Sequence, residues 1–398
     1  MKLHWLFYFL PALLFSCNTA EKEPPPYNTE IPILSSDFSG LELKPRWFRT
    51  GLPDDLVDTI GAAPDGKIRL ATPETIKSPP FEVEPLRYYR LTLRATATHR
   101  TFWAVVFFDE VGAMLPADIY STVDPSETSR DHTFYFQSKA DAVTAQFWVR
   151  PFEEHGNVTL ERVEITPATG PAAIKAWADS VYQTIPPLGT VETANDRDRF
   201  IPRTMEALQK GEKVRVVMLG NSIINDTGNS AWEILTEADY PGADIEVITS
   251  VRGGTGCWYY QENNRVDTFV VRYQPDLLII GGISHRNDTA AIRRVIDQVR
   301  ERTDAEILVF SGPVGRDGDP RSNPDFALPP EPGDFRLQLQ DMAQAANVGY
   351  WDMKTEWGRY IRDSGQPYDF YLRDPVHANA RGRQVLARLM RAYFAPEE

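Results

Sequence analysis

Cysteine is nearly missing from this 398-residue sequence, which has two, so a disulfide framework is excluded and stability must come from packed apolar cores. Positive charge is also short. Lys and Arg number 42 against 56 Asp and Glu, a formal net charge of −14. Nucleic acid or an anionic membrane surface as the main partner would call for a basic face, and none is available. No His/Asp/Glu cluster has metal-ligand spacing, so neither a metal nor another cofactor is expected. No internal repeat is visible. The N-terminal apolar run, Leu3 to Phe15, is too short to cross a bilayer as a stable helix. What is present, 42% hydrophobic and 25% charged residues, is the composition of a folded soluble protein. The length points to two domains.

Lys2 precedes the apolar run, which closes on Leu14-Phe15-Ser16-Cys17. This ending resembles the lipobox of bacterial lipoprotein signal peptides. The resemblance implies that residues 1–16 are a removed signal peptide and that Cys17 is lipidated. It also implies export, with the chain held at a bacterial membrane, periplasmic or at the cell surface, by the anchor only. Cys257 then has no partner within the chain and is read as a small buried hydrophobe, with a Cys–His nucleophile pair as the alternative. Residues 17–36 carry Pro24-Pro25-Pro26 and are predicted to be a flexible tether without packed structure.

Residues 37–168 change to short segments with apolar residues at period two, as in Arg90–Arg94, His132–Phe136 and Val158–Ile165. Phe102–Phe108 and Val143–Val149 are longer aromatic and β-branched runs. This spacing predicts an all-β antiparallel sandwich. It is similar in pattern to jelly-roll, carbohydrate-binding-like modules. Trp47 and Trp148 are candidates for stacking on sugar faces, although tryptophan in a strand is more often core. Glycan binding and a purely structural role both stay open for this domain.

Residues 169–212 form a partly helical connector, with Ala172–Tyr182 and Arg203–Lys210 as helical stretches. From residue 213 to 398, strand and helix alternate. Strands are predicted at Val214–Leu219, Ile245–Thr249, Asp276–Ile280, Glu306–Phe310 and Gly349–Trp351. Helices are predicted near Ser230–Ala238, Ala290–Arg302, Phe335–Ala346 and Ala380–Phe394. The alternation predicts an α/β fold, a doubly wound parallel sheet covered by helices on both faces.

The first strand of that sheet ends at Gly220-Asn221-Ser222, and ligands bind at the carboxyl ends of such strands. A serine there caps the next helix or acts as a nucleophile. A nucleophilic serine needs a base, and the base needs an orienting carboxylate. Asp374-Pro375-Val376-His377 supplies both on one short loop before the final helix. Arg252-Gly253-Gly254-Thr255-Gly256 follows the second strand and offers backbone N–H donors for a developing oxyanion. Gly281 to Asp288 follows the third and offers side-chain donors.

In this order, the blocks resemble the SGNH (GDSL-type) serine hydrolase family, over Val214 to Phe394. The resemblance implies a flavodoxin-like SGNH fold, with Ser222 as nucleophile, Asp374 as orienting acid and His377 as base. The N–H groups of Gly253 and Ser222 are implied to form the oxyanion hole. Asn221 stands where the family has aspartate, a residue that mainly supports the loop. For the third block, counting from the strand selects His285, whereas matching Asn-Asp literally selects Asn287. The missing Gly-x-Ser-x-Gly elbow argues against an ordinary α/β-hydrolase.

Trp258 and Tyr259 are candidates to line a sugar site, with a core role equally open. Arg316 lies in a polar loop expected to border the cleft. The expected function is an exported serine esterase acting on an O-acylated glycan, with acetyl as the group removed. The alternatives are a lipase or thioesterase of the same fold, for which no apolar lid is visible, and an inactive glycan-binding surface lipoprotein.

Overall fold

The computed structural model describes residues 31–38, 47–51, 58–60, 65–116, 118–192, 197–281, 287–315, 317–323, 326 and 330–396. Cys17 and residues 1–16, predicted to be a signal peptide, lie outside these residues.

The N-terminal part is a sandwich of two antiparallel sheets. One orders its strands as Leu34–Ser36, Asn157–Pro167, Tyr88–Ala97 and Ser126–Gln137, with Ile68–Ala71 also pairing to Asn157–Pro167. The other has seven strands, centred on Thr144–Pro151 and Thr101–Phe108. Strict alternation of buried and half-buried residues along Tyr88–Ala97 places Tyr89, Leu91, Leu93, Ala95 and Ala97 in the core between the sheets. Trp47 is in this core. Trp148 is half-buried, with the Lys77 ammonium 4.0 Å from its ring centroid.

The tether predicted for residues 17–36 is too long by its last residues. Leu34–Ser36 is a strand paired with Ser36↔Val163 and Leu34↔Ile165, and Leu34 is buried. Three residues with a single large apolar side chain carry too little periodicity to stand out in sequence.

The C-terminal part is a five-stranded, all-parallel sheet. Its order is Asp244–Val251, Lys213–Gly220, Leu277–Gly281, Glu306–Phe310 and Gly349–Trp351. Numbered along the chain this is 2-1-3-4-5, the flavodoxin-like order of a doubly wound sheet, and the order reverses between the first and third strands. Both faces are buried. Val214, Val216 and Met218 face one core with Leu386, Leu389 and Met390 of the final helix, Ala380–Phe394. Val217 and Leu219 face the other with Ile292, Val295 and Ile296 of the helix Thr289–Arg300. A β-branched run buried on both sides is what a central parallel strand requires.

Gly220 serves a close approach of two strands. It pairs with Gly281, and a Cβ on Gly220 would sit 2.1 Å from the Gly281 carbonyl oxygen. The predicted helix Ser230–Ala238 is the shorter Trp232–Glu237, and a separate helix, Ser222–Gly228, precedes it. The helix Met353–Asp363 was not expected, because Trp357, Gly358 and Tyr360 are weak helix formers.

The two parts are joined by many polar contacts. The Tyr88 hydroxyl donates to Glu233 and Arg381 pairs with Asp124 at 2.7 Å. On the connector helix Pro171–Tyr182, Trp177 Nε1 donates to the Thr133 carbonyl while Asp179 accepts from Arg388 of the final helix.

Candidate active site

Ser222 opens the helix that leaves the first parallel strand, but it is not the cap. Asn221 is, its Oδ1 accepting from Ile223 N at 2.9 Å. The capping duty falls on the residue before the serine, and the serine hydroxyl is left to point elsewhere. His377 Nε2 lies 2.8 Å from Ser222 Oγ, although 155 positions separate them. On the other side of the ring, Nδ1 lies 2.9 Å from both carboxylate oxygens of Asp374.

Asp374 is also fixed from behind. Its Oδ1 accepts from Val376 N at 2.8 Å and from His377 N at 3.0 Å. Burial works against its charge, but His377, Arg373 and the Val376 N–H outweigh it and hold the carboxyl below its ordinary 3.8. An ionised carboxylate only accepts, so Nδ1 is the donor and Nε2 is left to accept the serine proton. The chain hydroxyl–imidazole–carboxylate is continuous.

A buried charge cluster, which sequence reasoning missed, holds the two loops together. Asp226 lies one turn after Ser222 on the same helix and is 1% exposed. Its Oδ1 accepts from Arg373 at 2.7 Å and Arg383 at 2.9 Å, and its Oδ2 from Ala378 N at 3.0 Å. Burial pushes the Asp226 carboxyl up, but Arg373, Arg383 and His377 together hold it below 3.8. Arg373 Nε also lies 3.7 Å from Asp374 Oδ2. The Ser222 helix is thereby bonded to residues on both sides of His377.

The sandwich reaches this cluster. The Tyr120 ring lies edge-on to the His377 ring at 6.0 Å, and its carbonyl accepts from Arg383 at 2.7 Å. Lys139, buried, donates from the sandwich to Asn225 Oδ1 at 3.1 Å on the Ser222 helix, and Asn225 Nδ2 donates to the Asp118 carbonyl at 2.7 Å. Burial and the nearby Arg383 push the Lys139 ammonium down to about 7.

Gly253 follows the second parallel strand, exposed and with open space where a Cβ would be; Gly254 beside it has φ +66°. Asn287 is exposed in left-handed conformation, φ 47°, just before Asp288 caps the next helix. His285 and Arg316 lie outside the described residues. Tyr260 is a buried strut, its hydroxyl donating to the Gly220 carbonyl at 2.6 Å and accepting from Arg252 N at 2.8 Å. Tyr259 is half-buried, with the guanidinium of Arg265 3.8 Å and that of Arg252 5.0 Å from its ring centroid, and Trp258 packs against the neighbouring core. Both are packed side chains here rather than open platforms. Cys257 is buried, its thiol pushed up to about 12 by burial and by Asp288, which suits a small hydrophobe and not a nucleophile.

Among the described residues no group of three His, Cys, Asp or Glu is placed to hold a metal ion, and no helix is long and apolar enough to cross a membrane.

No family model matches the chain, and no curated protein matches it. Solved structures that resemble it include a two-domain esterase active on acetylated mannans, co-crystallised with mannopentaose, at 16% identity and a TM-score of 0.37. That match covers 48% of this chain and 52% of the other, so the chain spans about half the esterase's length. A family two carbohydrate esterase from Cellvibrio japonicus matches at 14% identity and a TM-score of 0.28, over 82% of this chain and 90% of the other. The CBM22-1 xylan-binding domain from Paenibacillus barcinonensis Xyn10C matches at 9% identity and a TM-score of 0.25, over 35% of this chain and 96% of the other. The functional reading therefore rests on the geometry of the site.

Proposed function

We propose that this protein is a serine esterase that removes acyl groups, acetyl foremost, from an O-acylated glycan. The observation that carries the reading is the continuous chain from Ser222 Oγ through His377 to Asp374 at the carboxyl edge of the parallel sheet. Ser222 Oγ attacks the ester carbonyl carbon while His377 Nε2 takes its proton. The oxyanion of the tetrahedral intermediate is held by the N–H groups of Ser222 and Gly253 and by the side chain of His285 or Asn287. The C–O bond to the sugar then breaks, and the imidazolium returns the proton to the departing sugar oxygen. Water, deprotonated by the same imidazole, attacks the acyl-serine, and release of the carboxylic acid restores the hydroxyl.

The glycan part of the reading is supported by the sandwich that precedes the α/β part. Lipid anchoring at Cys17, and with it export, belongs to the same reading and draws on the leader sequence.

The test is hydrolysis of a chromogenic acetyl ester by the wild type and by Ser222→Ala. Release by the former, with a drop in kcat of about 10⁵–10⁶-fold in the latter, is expected. A wild type that releases nothing would favour a glycan-binding protein without activity. Acetate release from a panel of acetylated polysaccharides then identifies the sugar.

A further inference from the structure

A cleft of about 600 Å³ lies between the sandwich and the outer edge of the parallel sheet. Its size is that of a ligand site, for which about 300–1,000 Å³ is usual. The floor is the end of the edge strand, Ile248 to Val251. Val251 pairs with Gly220, and Arg252 N donates to the Gly220 carbonyl at 3.3 Å, so the inner end abuts the strand that delivers Ser222. Phe269 and Tyr273 line one wall, and Leu115, Val111 and Val143 the other.

Three features point to an occupant. Five large apolar side chains are exposed among the described residues; two of them, Val111 and Val143, line this cleft, and a third, Met114, follows Val111 by three residues. Such a cluster is unusual unless something covers it. The turn that presents Val111 is built rather than loose, since Asp109 Oδ1 accepts from Val111 N at 3.1 Å and Ala113 N at 2.8 Å. Across the rim, Asp141 accepts from the Tyr273 hydroxyl at 2.9 Å and pairs with Arg272, which fixes the width of the opening. Finally, Ser250 and Thr268 add polar side chains to the lining. Pyranose rings carry apolar C–H faces and polar edges, and acetyl groups add methyls. A polyanion would instead meet Asp109 and Glu110 at the rim, on a chain of net charge −14, while the two cations of the lining are already engaged, Arg272 with Asp141 and Lys139 with Asn225 and Asn229.

We infer that this cleft binds the uncharged polysaccharide chain beyond the acylated sugar, an inference that rests on the esterase reading for its connection to Ser222. It is a subsite to which both parts of the chain contribute, and it selects neutral glycans over polyuronates.

The experiment is the double variant Val111→Glu/Val143→Glu, both at exposed positions, with a melting curve to show that it folds. On 4-nitrophenyl acetate, which has no chain to bind, kcat/KM should stay at the wild-type value. On a neutral acetylated polysaccharide KM should rise about tenfold. An unchanged polymer KM overturns the inference. Should the wild type hydrolyse no ester, the esterase reading falls and calorimetric titration with neutral xylo-, manno- and cello-oligosaccharides decides the cleft alone. Binding that the double variant loses upholds it, and absence of binding to every oligosaccharide overturns it.

Discussion

The guanidinium of Arg373 lies 3.9 Å from the ring centroid of Tyr120, a residue of the sandwich stacked on the one that precedes Asp374. Arg373 N in turn donates to the His377 carbonyl at 3.0 Å. The ring therefore braces the loop that carries Asp374 and His377. Tyr120→Phe keeps the ring and should keep near wild-type turnover. Tyr120→Ala should lower kcat on a small acetyl ester about 10- to 100-fold with KM little changed, as misplacement of reacting groups does. Steady-state kinetics of the two variants, with a melting curve for each, checks this. Equal losses in both would refute the bracing role.

Asp226 is the only carboxylate bonded to both Arg373 and Arg383 among the described residues. Removing one partner of a buried ion cluster leaves charges uncompensated. Asp226→Ala should cost about 3–5 kcal/mol of unfolding free energy in urea. A loss below about 1 kcal/mol would mean that water or another anion replaces the carboxylate.

Asp374→Asn keeps shape but can present N–H to the imidazole and so select the wrong tautomer. A fall in kcat of about 10⁴ is expected, with the fold intact by circular dichroism. Activity within tenfold of wild type would remove Asp374 from the proposed mechanism.

Lys139 gives a pH signature. Its folded pKa of about 7 lies below the ordinary 10.5, so between these values the unfolded chain binds the extra proton. Stability due to this residue is therefore flat below about 7 and rises towards pH 10.5. Urea unfolding at several pH values should show wild type gaining on Lys139→Met across this window, by a few kcal/mol on the order of magnitude. Parallel stability curves would show that the ammonium is not desolvated as placed.

Much of the frame was legible because its signals are local. The strands Glu306–Phe310 and Gly349–Trp351 and the helices Phe335–Ala346 and Ala380–Phe394 match their predicted bounds. Period and β-branching are properties of neighbouring residues, and a strand end followed by a serine can be read from a few letters. The cluster around Asp226 was not legible, since its partners stand 147 and 157 positions away and arginines, whether in a loop like Arg373 or on a helix like Arg383, ordinarily read as solvated. Trp258 and Tyr259 left two roles open because adjacent aromatics read alike as a sugar platform or as core; arginines and a neighbouring core occupy their surroundings.

The grip of the sandwich on the loop around His377 has a consequence for how such a chain can change. Tyr120, Asp124 and Arg100 each bond or stack onto residues between Leu372 and Arg383. Exchanging this sandwich for an unrelated one would take one partner each from Arg373, Arg381 and Arg383, and cutting it away would open those positions to water. The halves are thus bound to vary in concert, and recombination at the connector should yield inactive chimeras unless the segment 118–124 travels with the α/β half.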